Sequence, residues 1–599
     1  MRISSTRSFA AWNKRLCGRA LALIAAVALA GCEPSPPALE ADVLVIGAGI
    51  TGLAAALEAS NAGAQVTLVD MNSVGGGHAV MAGGLFLVDT PLQAEKGVQD
   101  SVELAVADML AWGEDADPTW VRWYAQDSRK EVHDWLTSMG VEFALLLPAP
   151  GETSVPRFHF TRGTAVNVVV PMMQTVLQRR GVVWRMNTEA TGIERGEDGT
   201  WATRIRDLRS GKESSLRSQT VVIATGGFEG SLERVQANWL ARIKQPARLL
   251  NGGGRYALGS GLDLGTAAGG STARLNKQTI FVTGFPDPRD ANGQNGLLAM
   301  NPAAIYVDAS GKRFMNEGSS RKVLETTVLA MPGQSYWMVF DDKGRRRLQI
   351  RGAPWLNRET LNAEILGNPD VVKRADDLAS LAQATGMPAS ELDLTVAAYN
   401  AKIVLGEADE LGRFSADPEE RKPPTLGEPP FYALRLYPMS RKSLGGLVID
   451  SKARVLDAAG QPVEGLHAAG EATGVAGING SHGGSGTFLG PSIYTGRIAG
   501  RTAARLVAEK TNPEDPAVVA RAPAATGSPG EAAAMLAAAD LDALLANSRP
   551  GYWHFEQAHA LVRERGWECT DCHGNGWTTK AAVTAQEKRA QLESCARCH

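Results

Sequence analysis

Residues 42–52, Asp42-Val43-Leu44-Val45-Ile46-Gly47-Ala48-Gly49-Ile50-Thr51-Gly52, constrain the fold more than any other stretch of this 599-residue chain. The apolar run Val43 to Ile46 has the pattern of a strand buried on both faces, and it feeds a Gly-x-Gly-x-x-Gly turn and an Ala/Leu-rich helix. Gly47 permits the tight turn, Gly49 the close approach of backbone to a pyrophosphate, and Gly52 close helix packing. The helix start around Thr51 stabilises the negative charge. A second strand, Ala64 to Val69, ends at Asp70, 18 residues after Gly52, where an acidic side chain reaches a ribose hydroxyl. This unit predicts a Rossmann-type α/β domain that holds a dinucleotide.

Thr220 to Gly227 reads as a later strand entering a small-residue turn, and Gly465 to Glu471 as another. Both are similar to the returning strands of FAD-dependent flavoproteins, which a one-site NAD domain would not need. The implied FAD contacts are Ala224, Thr225, Gly226, Gly227 and Glu471. Four further motifs follow in order: Gly75-Gly76-Gly77-His78-Ala79-Val80-Met81-Ala82-Gly83-Gly84, Gly311-Lys312-Arg313-Phe314-Met315-Asn316-Glu317, Leu444-Gly445-Gly446-Leu447 and Gly486-Thr487-Phe488-Leu489-Gly490. Together they resemble the fumarate reductase, succinate dehydrogenase and 3-ketosteroid dehydrogenase flavoproteins, over residues 40–508. The resemblance adds Gly76, Gly77, His78, Ala82, Gly83, Gly84, Thr487, Leu489 and Gly490 to the expected cofactor contacts. His78 falls near the position at which membrane relatives bond FAD covalently; soluble relatives hold FAD without such a bond, and both forms remain open.

In the fumarate-reductase relatives a hydride passes between the flavin and a C=C bond while an arginine delivers the proton. Arg321, in Asn316-Glu317-Gly318-Ser319-Ser320-Arg321, matches that arginine; its alternative is a surface residue capping a helix. The rest of the dicarboxylate machinery differs. Leu297 and Met300 stand where relatives carry the Glu and Arg that feed protons, Lys442 where they carry a substrate-binding His, and Ser481 where they carry a carboxylate-clamping Arg. Losing a charge-assisted clamp predicts a substrate other than fumarate, with less charge. Gly486-Thr487-Phe488-Leu489-Gly490-Pro491 is closer to the ketosteroid pattern, in which a helix N-terminus faces the flavin pyrimidine, but Ser481 or His482 replaces the tyrosine expected there. Gly84 to Asp89 and Ser154 to His159 resemble a less characterised dehydrogenase branch near the ketosteroid enzymes. Arg441 and His482 are further pocket candidates by position, whereas His133, His159 and His467 read as structural.

The chain closes with Cys569-Thr570-Asp571-Cys572-His573 and Cys595-Ala596-Arg597-Cys598-His599, two c-type haem attachment patterns. Cys569, Cys572, Cys595 and Cys598 would hold two haems, with His573 and His599 as proximal iron ligands. His554 and His559 lie about 140° apart on a helix, placed to serve different haems as sixth ligands. A Cys-x2-Cys…Cys-x2-Cys zinc site would use the same thiols but leave the histidines unexplained. A flavin domain joined to such haems resembles the soluble periplasmic flavocytochrome c reductases, with the order of the parts reversed.

The other two of the six cysteines are Cys17 and Cys32. A basic start and the apolar run Ala20 to Ala30 read as an export signal, ending in Leu29-Ala30-Gly31-Cys32, which looks like a bacterial lipobox. Lipid on Cys32 would anchor the chain at the periplasmic side of a membrane, and Glu33 leans towards the outer membrane. Without lipidation, Cys32 is a free thiol beside an ordinary cleavage site. The formal net charge of −3 becomes more negative once the signal's five basic residues are removed, so no nucleic-acid partner is expected.

The expected plan is a signal (1–31), a tether (32–39), an FAD domain in two pieces (40–260 and 436–508) around an α+β substrate cap (261–435), a linker and helix (509–547) and a small α-helical dihaem segment (548–599). The expected activity is an FAD-dependent oxidoreductase acting on a C=C or C–C bond of a small organic substrate, exchanging electrons with a cytochrome or quinol-linked carrier. A ketosteroid-type dehydrogenase feeding a cytochrome, or a flavin/haem relay without its own substrate, are the alternatives.

Overall fold

Val43, Leu44 and Val45 are wholly shielded from solvent, and the strand that holds them, β1 (Ala41–Ile46), sits centrally in a twisted sheet. The computed structural model describes residues 40–162, 165–240, 243–353 and 356–511. The export signal, Cys32, the helix expected before residue 547, and both Cys-x-x-Cys-His segments with His554, His559, His573 and His599 lie outside them. β1 turns at Gly47 into helix α1 (Ile50–Asn61), and the chain returns in β2 (Val66–Val69), parallel to β1 with Val43 opposite Val66. Beyond β2 lies Val182–Arg185, also parallel. On the other side of β1 comes β3 (Glu213–Ile223), with Ile46 opposite Ile223. The chain therefore leaves β1 in one direction and is flanked by β3 in the other. This reversal opens a crevice at the carboxyl ends of the strands, where α/β sheets bind ligands.

The next third of the chain builds a second eight-stranded sheet. Its spine is β5 (Phe431–Ser443), antiparallel to β4 (Gln278–Pro286), to Tyr336–Phe340 and to Val372–Ala375. The two-residue alternation of a strand divides Tyr336–Phe340 between two cores. Tyr336, Met338 and Phe340 pack into the main core, while Trp337 and Val339 join a smaller cluster with Leu381, Leu392 and Tyr399. Helix α2 (Arg321–Ala330) packs against β4, whose register slips between Thr279 and Ile280 and again between Phe281 and Gly284. Such bulges re-aim side chains, and the one at Phe281 lies beneath the site described below.

The chain then re-enters the first sheet through β6 (Pro462–Ala468), parallel to β3, and ends its described part in α3 (Leu489–Thr511). α3 lies on α1 at close range because Gly496 and Gly500 present no side chain. A Cβ on either would collide with the Thr51 or Ala55 carbonyl. The buried pair Arg497 Nε to Glu58 Oε1, 2.7 Å, fixes the crossing. Two segments distant in sequence, Leu85–Phe86 and Phe158–Phe160, meet as antiparallel strands. No described helix is long and apolar enough to cross a membrane.

Candidate active site

The crevice is bordered by three turns, each at the end of a parallel strand. After β1, Gly47 takes φ +104° beside the Ala224 backbone, and a Cβ on Gly52 would strike the Gly47 carbonyl. Gly49 caps α1 without a side chain, and a Cβ there would meet nothing within 4 Å, which leaves room for an anion above the unbonded amides of the helix start. Asp70, after β2, accepts from the amides of Ala48 at 2.5 Å and Asn72 at 2.7 Å, bracing this turn from the next strand. Burial pushes its carboxyl up to about 6 against those two hydrogen bonds.

The second turn, Ala224 to Gly227, follows β3. Thr225 Oγ1 is buried there without a partner among the described residues. The third follows β6, where Gly470 touches Thr51 and leads into Glu471. Gly76 crosses above them, bridging to Gly49 and donating its amide to the Ala48 carbonyl at 2.8 Å. An open helix start, an orphaned hydroxyl and three glycine-rich turns suit a dinucleotide. Gly83 and Gly84 pack against the Phe158–Phe160 strand, where a Cβ on either would strike Phe160 or the His159 carbonyl. Gly490, at the start of α3 beside buried Leu489, likewise has no room for a side chain, because a Cβ there would strike the Tyr124 hydroxyl. Thr487 donates to Asn479 Oδ1 at 2.5 Å.

A charged cluster lies next to the cradle. Arg441 Nη1 donates to His78 Nε2 at 2.8 Å and also bonds the Gly252 carbonyl. His78 therefore carries its ring proton on Nδ1, 3.5 Å from Glu229 Oε1. Burial, then the charges of Lys442 and Arg441, holds His78 neutral, far below its ordinary range. Burial, then the Glu471 charge, pushes the Glu229 carboxyl well up, so it keeps its proton. Lys442 pairs with Glu471 at 2.9 Å, and Glu471 also accepts from the Ser443 amide at 3.0 Å. With Glu229 and His78 neutral and Lys442 matched by Glu471, Arg441 leaves the cluster with one positive charge.

From Arg441 a short line of contacts reaches Arg321. Both guanidiniums lie over the Phe281 ring, at 5.9 Å and 5.0 Å. Arg321 is the first residue of α2 and does not act as a surface cap. Its Nη2 lies 3.2 Å from Glu152 Oε1, and Glu152 Oε2 accepts from the Ser485 amide at 2.6 Å. One helical turn on is Glu325, whose carboxyl burial pushes up to about 8 against the pull of the Arg321 charge and the Ile280 amide. The cleft beside Glu152 is walled by Phe86, Met109, Trp112 and Ile478, with Thr153, Asn479 and His482 among its polar groups. His482 faces Glu114 at 3.5 Å, and burial, then Lys322, lowers its pKa.

The structure thus brings His78, Arg441, Lys442 and Glu471 together, and Arg321 with Phe281 beside them. Leu297 is buried apolar lining and Met300 pairs with Gln349, so neither offers a proton. Ser481 sits between Lys277, 2.5 Å away, and Asp115, 2.7 Å away. Sequence reasoning did not single out Glu152, Glu229 or Glu325. Only Glu325 left a trace, four residues after Arg321 on a helix.

A family model described as an FAD binding domain matches residues 42–489. The chain is 31% identical over 486 residues to the fumarate reductase (cytochrome) of Shewanella frigidimarina, an alignment covering 79% of this chain and 78% of that protein. It is 29% identical over 556 residues to a KsdD-like steroid dehydrogenase of Mycobacterium tuberculosis, covering 78% and 96%. The open conformation of a flavocytochrome c3 fumarate reductase has the same fold, with a TM-score of 0.64 at 26% identity over 81% of each chain. The cradle, the charged cluster and these similarities agree: the chain belongs to the FAD-binding-domain family and is an FAD-dependent oxidoreductase of the fumarate reductase and ketosteroid dehydrogenase type, acting on carbon–carbon bonds.

Proposed function

We propose that this protein is an exported flavocytochrome c that reduces a C=C bond of an organic substrate, or dehydrogenates the matching C–C bond, in the cleft beside Arg321. The observation that carries this reading is the stacking of Arg321 on Phe281, with Glu325 one turn behind it holding a proton up to about pH 8. FAD, when bound, would supply or take up the hydride. Arg321 gives a proton to the carbon next to the one that receives the hydride, and Glu325 restores it to Arg321; the reverse sequence removes a proton during dehydrogenation. Gly47, Gly49, Thr51, Asp70, Gly76, Gly77 and Ala224 to Gly227 would hold the dinucleotide. The positive charge of Arg441 would favour the anionic reduced form of the cofactor.

Outside the described residues, Cys569, Cys572, Cys595 and Cys598 would bind two c-type haems with His573 and His599 as proximal ligands and His554 and His559 opposite them. Each haem carries one electron, so the chain would couple two-electron chemistry to a one-electron cytochrome or quinol-linked carrier. Lipid on Cys32 would keep it at the periplasmic face of a membrane. Anaerobic addition of enones and enoates to dithionite-reduced holoprotein tests the reading: reoxidised flavin and haem establish a reductase. Arg321→Ala should abolish that reoxidation, by about 1,000-fold or more, at unchanged FAD content. Unchanged turnover removes Arg321 from the chemistry.

A further inference from the structure

Five cations around the cleft are already matched. Arg321 holds Glu152 at 3.2 Å, Lys277 and Arg274 share Asp115 at 3.2 Å each, Lys442 holds Glu471 at 2.9 Å, and Lys322 pairs with Glu114. Arg441 has no carboxylate bond among the described residues; it is bound to His78 and the Gly252 carbonyl, with Glu229, Glu471 and the further cation Arg351 nearby. A dicarboxylate needs two cations free to form charge-assisted bonds, and none of the matched ones is free to do so. Glu152 goes further. It takes the two donors a substrate carboxylate would want, Arg321 Nη2 and the Ser485 amide. An anion entering there finds both donors already taken by a carboxylate, so it must displace Glu152 or lie beside a like charge.

Among the described residues, the same cleft offers an anion no other exposed donor. Trp112, Thr153 and Asn479 border it, but Trp112 Nε1, Thr153 Oγ1 and Asn479 Nδ2 are themselves buried, without a partner among the described residues, so the surface the cleft presents is apolar. The remaining wall, with Phe86, Met109, Trp112 and Ile478, is apolar.

We propose that Glu152 is a charge filter at Arg321: by occupying both donors that a carboxylate would use, it disfavours an anionic acceptor there and favours an uncharged alkene conjugated to a carbonyl, seated against the apolar wall. The inference rests on the reading of this cleft as the substrate site and narrows its substrate class. Glu152 is a specificity-determining residue: its carboxylate fixes Arg321 in place and makes the local charge neutral before any substrate arrives.

The test uses the full-length, dithionite-reduced holoprotein and a matched pair of acceptors, methyl cinnamate and cinnamate, beside 2-cyclohexenone. Flavin reoxidation is followed anaerobically. Wild type should be reoxidised by the ester or the enone at least about tenfold faster than by the acid, and Glu152→Gln should shrink that ratio by raising the rate with the acid. If wild type prefers the acid, or if Glu152→Gln leaves the ratio unchanged, the filter is wrong while the oxidoreductase reading stands. If no acceptor reoxidises wild type, the substrate-site reading fails and the filter falls with it.

Discussion

Glu325→Gln is the substitution that most sharply tests how the proton reaches Arg321. The Glu325 carboxyl stands at 4.5 in an unfolded chain and at about 8 in the fold, so the folded protein holds a proton that the unfolded chain has released across that whole interval. Stability therefore falls as pH rises from about 5 to about 8, where the folded protein must either keep a costly proton or bury a charge. The full displacement corresponds to a ceiling of about 5 kcal/mol. Glu325 keeps partial contact with solvent, so water screening leaves about half of that. Glutamine has no proton to lose and the same shape, so the melting temperature of Glu325→Gln should gain on wild type as the pH is raised. At roughly 2 °C per kcal/mol for a large domain, the gap should widen by about 5 °C between pH 5 and pH 9, read by flavin release on heating. Substrate reduction gives the second readout. In wild type it should decline above about pH 8 as Glu325 loses its proton, and in Glu325→Gln it should be slower by about tenfold or more and lack that limb. A melting gap that stays constant across this range, together with an unaltered pH profile, would refute both the buried proton and its role.

Two further outcomes follow from particular contacts. Because Arg441 occupies His78 Nε2, FAD should be held without a bond to the protein, and acid precipitation should release all the flavin into the supernatant; a yellow pellet would show a covalent link. Cys598→Ser should lower the covalent haem from two per chain to one, measured as the pyridine haemochrome, at unchanged flavin content. A zinc site would instead give no haem band in wild type and a metal loss in the variant.

The dinucleotide cradle was legible because local rules suffice for it. β1, the Gly47 to Gly52 turn and α1 are contiguous, and each glycine there answers to a turn or a close approach that sequence spacing already implies. The returning strands at Thr220 and Gly465 were legible for the same reason, since a buried apolar run entering small residues looks alike wherever it occurs. The carboxylates that set the chemistry leave no such mark. Glu152 is 169 residues from Arg321, Glu229 is 211 from Ser440, whose hydroxyl meets the Glu229 carbonyl, and Asp115 is 366 from Ser481. Nothing in the residues flanking a lone glutamate tells whether it is solvated or faces an arginine; only the folding of distant segments onto one another makes those meetings.

That difference governs how substrate choice can diverge in this architecture. The cradle is tied to the sheet: replacing Gly52 or Gly496 drives a side chain into backbone, so those positions are fixed by the fold itself. Glu152, Thr153 and Ser481 are held by side-chain and turn contacts at the edge of the cleft, where a new residue disturbs no strand pairing. A relative can therefore keep Arg321 and its proton supply while exchanging a serine for an arginine, or a glutamate for a neutral residue, and so move between charged and uncharged alkenes. Ser481 and Glu152 act on the same quantity from opposite sides: one omits a cation from the cleft, and the other neutralises the cation that remains.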